Sequence, residues 1–204
     1  ILVNRKESLL DQSLLIPFAI LTSISLIFIY SSSNVIADAD FNNQYFYLER
    51  QFIALSVGLL AGTIALFIPI SFYRENGLLL ILFSAFLLTL VFIPGFGIEK
   101  NGSLRWINLG FNIQPSEIAK IFVPIYLCGY CLKQKEQLKT SWWGFIKPLI
   151  LTSLISILLL LEMDLGATII IFTIGIIILF IGGAKFNQLF ILFLVFFSIV
   201  SILI

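Results

Sequence analysis

The sequence predicts an all-α protein, a polytopic bundle of transmembrane helices. Of its 204 residues, 60% are hydrophobic and 11% charged, against roughly 45–50% and about 25% in soluble domains. The apolar residues fall into seven runs, each near the ~17–25 residues a helix needs to cross a hydrocarbon core. Within the runs apolar residues are continuous, as in Ile169-Ile170-Ile171-Phe172, whereas transmembrane strands would alternate. A helix also satisfies its backbone polar groups internally, which lipid demands.

The expected spans cover 13–30, 51–68, 77–93, 115–132, 143–161, 166–183 and 189–204, one transmembrane domain over 1–204. Arg5 and Lys6 precede the first run, and Val35-Ile36-Ala37 resembles a small-residue cleavage site. The run is nevertheless longer than a signal-peptide core, so an uncleaved anchor is expected. Ile1 in place of an initiator Met, and a last run without a polar flank, lead us to expect a fragment. With the N-terminus inside, inner loops hold Arg5, Lys6, Arg74, Lys133, Lys135, Lys139, Lys147 and Lys185, and outer loops only Arg50, Lys100 and Arg105. That bias favours a cytoplasmic N-terminus.

Composition also excludes function classes. A net charge of +1 gives no field for nucleic acid. No His and two Cys leave few metal ligands and no His-dependent nucleophile, so no metal site is expected. Cys128 and Cys131 have CxxC spacing but lie within an apolar helix, where core packing is the expectation.

The polar residues concentrate in three places. The connection from Pro94 to Gln114 carries Arg105, a planar donor suited to phosphate or carboxylate, and Trp106. The alternative there is an interfacial loop with Trp106 at headgroup level. Pro115 suits the first position of a helix, Glu117 falls in its first turn, and Lys120 follows on the same face, where the two can pair. Dipole compensation by Glu117 and snorkelling by Lys120 are the alternatives. A charge at the depth of Lys120 costs about 2.5–3.5 kcal/mol, which favours a wet cavity. Pro124 should kink the same helix or free a carbonyl near Lys120. Asp164, in the short Glu162-Met163-Asp164-Leu165-Gly166 connection, either caps the next helix or joins the other polar groups on the outer side.

Gly102-Ser103-Leu104-Arg105-Trp106-Ile107, then Gln114-Pro115-Ser116-Glu117-Ile118-Ala119-Lys120, then Met163-Asp164-Leu165-Gly166 resemble, in order and spacing, the shape, elongation, division and sporulation (SEDS) family of bacterial membrane proteins. Tyr30-Ser31-Ser32-Ser33 adds to the match. Family members carry Gly-Ala-x-Arg-Trp-Ile, Gln-Pro-Ser/Ala-Glu-x-x-Lys and Pro-Asp-Leu-Gly. Tyr45 to Gln51, Gly144 to Pro148 and Phe180 to Lys185 resemble the division branch more than the elongation branch. Ser103-Leu104 and Met163 depart from the family pattern.

The resemblance implies about ten helices in the complete protein and a peptidoglycan glycosyltransferase that polymerises lipid II during septal wall synthesis in the inner membrane. It implies substrate contacts at Arg105, Trp106, Gln114, Glu117, Lys120 and Asp164, with an essential Asp in a later outer loop, so this segment alone is expected to be inactive. It implies no cofactor of the chain's own, with room for a divalent cation on the lipid diphosphate. The implied partners are membrane lipids, a class B penicillin-binding transpeptidase and other division proteins. A lipid II flippase and a non-catalytic membrane scaffold are the competing readings.

Overall fold

A computed structural model describes residues 12–100, 103–108 and 112–203. Arg5, Lys6, Gly102 and both chain ends lie outside the described residues. The elements are α1 (Gln12–Phe41), α2 (Phe46–Phe67), α3 (Ile70–Leu90), β1 (Gly97–Lys100), β2 (Ser103–Asn108), β3 (Asn112–Ile113), α4 (Pro115–Lys133), α5 (Lys135–Thr140), α6 (Trp142–Leu161), α7 (Leu165–Gly182) and α8 (Phe186–Leu203).

A long helix stands at each of the seven apolar runs, so the helical membrane fold holds. Among the described residues, five of these helices, α1, α2, α3, α6 and α7, are long and apolar enough to cross a membrane by length and composition. Two features differ from expectation. The loop after α3, which the sequence predicted only as a connection, folds into an antiparallel sheet of order β1-β2-β3. Finally, α1 continues well past Tyr30 to Phe41. Its serines do not end it, because hydroxyls bond to the preceding turn of the same helix: Ser33 Oγ donates to the Ile29 carbonyl at 2.6 Å. The cleavage-like Val35-Ile36-Ala37 is therefore helical.

The chain divides at Pro69/Ile70 into two compact units. In the first, α1 and α2 form a helical hairpin. Asn42 turns the chain at φ 52°, a conformation Asn tolerates better than most residues, and the Asn43 Oδ1 accepts from the Tyr45 N–H at 2.9 Å. Stacking of Phe41 on Phe46, centroids 3.8 Å apart, closes the hairpin. Large apolar side chains on both helices, such as Ile27 and Phe52, remain exposed, as lipid contact requires.

The second unit is built around α4. Ala119, Val123, Leu127 and Cys131 recur every fourth residue and are all buried, so they form one stripe along the helix. That stripe joins a core with Ile81 and Leu88 of α3, Ile155 of α6 and Ile171 of α7. Enclosure by neighbours explains why α4 is the less apolar helix: protein, not lipid, covers much of its surface. A Cβ on Gly182 would lie 2.7 Å from the Cys131 sulfur, which places that cysteine in tight helix packing.

The short helix α5 was not foreseen. Leu138 anchors it and is fully buried; Ser141 then caps α6, its Oγ accepting from the Trp143 N–H at 3.1 Å. The join is so close that a Cβ on Gly144 would sit 2.3 Å from the Gln137 carbonyl oxygen. Gly144→Ala should therefore destabilise by about 1–3 kcal/mol, read as a lower midpoint of thermal denaturation in detergent. Gly62→Ala, with nothing within 4 Å, should be neutral or stabilise by up to about 1 kcal/mol through helix propensity, read as an unchanged or higher midpoint.

Candidate functional site

Strand pairing aims Arg105. On β1 and β2, Ile98 pairs with Trp106 and Glu99 with Leu104, leaving Arg105 as the extra residue of a β-bulge. A bulge bends its strand and redirects the side chain at that point. Arg105 reaches the junction of α6 and α7, where its Nε donates to the Glu162 carbonyl at 3.3 Å and its Nη2 to the Met163 carbonyl at 2.5 Å.

Those carbonyls are exposed by how α6 ends. The Met163 N–H bonds to the Leu160 carbonyl at 3.0 Å and the Asp164 N–H to the Leu159 carbonyl at 2.9 Å, the paired bonds of a Schellman motif. The residue that must turn left-handed is Met163, at φ 60°. Proline, the family's usual residue at this place, could not adopt that angle, so the departure at Met163 has a backbone consequence.

Asp164 begins α7. Its Oδ1 accepts from the Ala167 N–H at 3.1 Å and its Oδ2 from the Gln114 Nε2 at 3.2 Å. It is buried, with both oxygens engaged by the protein. Asp164 thus caps α7 and also joins Gln114 among the polar groups, bracing the site. Gln114, directly ahead of Pro115 at the start of α4, also donates to the Ser116 Oγ at 3.0 Å. Arg105, Gln114 and Asp164, from three separate stretches of chain, therefore meet at one end of the second unit.

Glu117 and Lys120 form a separate ion pair there, Nζ to Oε1 2.6 Å. Glu117 is exposed and Lys120 mostly covered, so the pair itself adds little stability. Its value is positional, since it holds an ammonium one turn inside the helix. The helix continues through Pro124, whose missing N–H deprives the Lys120 carbonyl of its usual intrahelical donor. Trp106 is half-buried on β2.

The residue that sequence reasoning overlooked is Glu162. It is 1% exposed, and neither carboxylate oxygen has a hydrogen-bond partner among the described residues. Burial first, then the Asp164 charge, push its pKa from an ordinary 4.5 up to about 8, against the opposing pull of Arg105. The carboxyl is therefore neutral at pH 7. In the sequence it was only the first residue of the short connection that carries Asp164; an acid directly behind a long apolar run and two residues from another acid was the available signal.

Two predictions follow from this junction. Between about pH 4.5 and about 8 the folded protein keeps the Glu162 proton that the unfolded chain loses, so stability falls as pH rises through that window and is fully retained below it. Glu162→Gln cannot ionise, and should flatten the decline of the denaturation midpoint with pH. Met163→Gly should stabilise by about 1 kcal/mol by removing the left-handed penalty, whereas Met163→Pro should lower the midpoint sharply.

The chain resembles known proteins in sequence and in fold. The sequence profile of the FtsW/RodA/SpoVE cell cycle proteins matches residues 11–204. The probable peptidoglycan glycosyltransferase FtsW of Pseudomonas fluorescens is 39% identical over 85% of this chain and 43% of its own length. That of Legionella pneumophila is 39% identical over 95% of this chain and 49% of its own. The chain thus spans about half the length of the curated relatives it matches. Among solved structures, the rod shape determining protein RodA of Thermus thermophilus superposes with a TM-score of 0.64 at 26% identity, covering 82% of this chain and 56% of that one. A chain from a peptidoglycan synthase complex, described for its coordination of polymerization and crosslinking, superposes with a TM-score of 0.63 at 25% identity, covering 84% and 51%. On sequence and fold together, the chain belongs to the SEDS family of FtsW/RodA/SpoVE cell cycle proteins, with FtsW-type relatives.

Proposed function

We propose that the full-length protein is a peptidoglycan glycosyltransferase that polymerises lipid II during septal wall synthesis, and that the end of the bundle bearing Arg105 and Lys120 binds the lipid diphosphate. The observation that carries this reading is the junction itself: hydrogen bonds from Arg105 to Met163 and from Gln114 to Asp164 bring a bulged strand and the starts of α4 and α7 to one place. The names of the FtsW relatives support the same chemistry.

In glycosyl transfer an acceptor hydroxyl attacks the anomeric carbon. A new carbon–oxygen bond forms, the bond to the diphosphate breaks, and negative charge grows on the departing phosphate. Cations fixed in advance beside that charge stabilise the transition state most effectively. A guanidinium has five N–H donors, so the two carbonyls do not exhaust Arg105. Lys120 supplies a second cation, held by Glu117. Gln114 and Asp164 keep the starts of α4 and α7 in register, and Trp106 offers an apolar face to a sugar or a lipid. The proton of the acceptor goes to the Asp that the family places in a later outer loop. A divalent cation on the diphosphate would add to the same charge balance.

In this reading the N-terminus is cytoplasmic and the Arg105 end faces outward, consistent with the Lys/Arg bias. A class B penicillin-binding transpeptidase is the proposed partner at the septum, a pairing supported by likeness to a chain of a peptidoglycan synthase complex.

Arg105→Ala or Lys120→Ala in the full-length protein should lower lipid II polymerisation by at least about 10²-fold while membrane insertion persists, measured as glycan product from purified protein. Wild-type rates in both variants would remove the assignment. Movement of lipid II between leaflets without glycan product would make the protein a transporter instead.

A further inference from the structure

At the opposite end of the second unit lies a cavity of about 210 Å³ between α3, α4 and α6. Chain direction puts it there: α4 starts at the candidate site with Pro115 and ends at the cavity with Lys133, while α6 runs the other way, past Lys147 toward Glu162. Three cations from three helices line it, Arg74, Lys133 and Lys147, together with Tyr126 and Tyr130 and a single acid, Glu75.

Two glycines, Gly77 of α3 and Gly129 of α4, are among the cavity's lining residues. A Cβ on Gly77 would lie 3.1 Å from the Tyr126 Cα, and one on Gly129 3.1 Å from the Arg74 carbonyl oxygen. The crossing of α3 and α4 is therefore close at both glycines that line the cavity. The Tyr130 hydroxyl donates to the Gly144 carbonyl at 2.8 Å, tying the start of α6 to the same wall.

Charge in this cavity is unbalanced. Lys133 Nζ donates to the backbone carbonyl of Glu75 at 3.5 Å, a neutral partner at the limit of hydrogen bonding. Among the described residues no carboxylate lies within ion-pair distance of Arg74, Lys133 or Lys147. All three cations stand within about two turns of a helix end, the level at which headgroups meet water. Leu78, which lines the cavity, is exposed, as is Leu132 next to Lys133.

We propose that this cavity binds the phosphate of an anionic glycerophospholipid, in the leaflet opposite the glycosyl-transfer site. The cations take the headgroup phosphate, and the apolar rim carries the acyl chains. A free phosphate would use only the first of these features. The binding is independent of catalysis at the other end.

Native mass spectrometry of the full-length protein in detergent, titrated with phosphatidylglycerol and separately with phosphatidylcholine, tests this. Phosphatidylglycerol should bind at least about tenfold more tightly. A cation beside an anionic headgroup contributes about fivefold in affinity, so Arg74→Gln with Lys147→Gln should weaken phosphatidylglycerol binding about 25-fold. Arg74→Lys with Lys147→Arg should retain it, and Lys135→Gln with Lys185→Gln, the same loss of charge outside the cavity, should leave it unchanged. Equal weakening by both neutralising pairs would overturn the site in favour of diffuse surface attraction. Displacement of the lipid by millimolar inorganic phosphate would reassign the cavity to a soluble anion, and unchanged binding in the Arg74/Lys147 variant would eliminate it.

Discussion

A helix that ends inside a membrane protein leaves carbonyl groups that neither the next turn nor lipid can satisfy. At the α6–α7 junction the left-handed turn at Met163 closes two of the bonds, and Arg105 supplies donors to two further carbonyls from a strand 57 residues earlier in the chain. The β-bulge, the sheet that contains it and the placement of Gln114 against Asp164 all converge on this junction. A side chain able to bind phosphate is thereby held rigid by duties unrelated to phosphate.

Such double employment is what preorganisation requires. An arginine on an unstructured loop would lose side-chain entropy each time it met a substrate, whereas one already bonded to backbone has lost most of it on folding. The same logic extends to Asp164 and Gln114, whose mutual bond joins the starts of two helices. Glu162 is the counterweight. A carboxyl enclosed without partners is tolerated because it keeps its proton, and its neutrality spares the junction a second negative charge beside Asp164.

The helix α4 connects the two ends of the second unit. One stripe of small and branched residues is buried against α3, α6 and α7, while its first turns carry the Glu117–Lys120 pair and its last residue is a cavity cation. Protein enclosure lets this helix carry charge at both ends, a composition that lipid exposure would penalise. The close crossing with α3 occurs at Gly77 and Gly129, which line the far cavity.

Composition and run length alone determined that the chain is helical and membrane-bound, because apolar length against bilayer thickness is a one-dimensional constraint. The positions of the seven long helices and the i,i+3 pairing of Glu117 with Lys120 were likewise legible, since each depends on near neighbours in the chain. Tertiary structure decided the rest. The bulge at Arg105 arises from the register between strands, the burial of Glu162 from packing of distant helices, and the cationic cavity from the packing of α3, α4 and α6 that brings residues 74, 133 and 147 together.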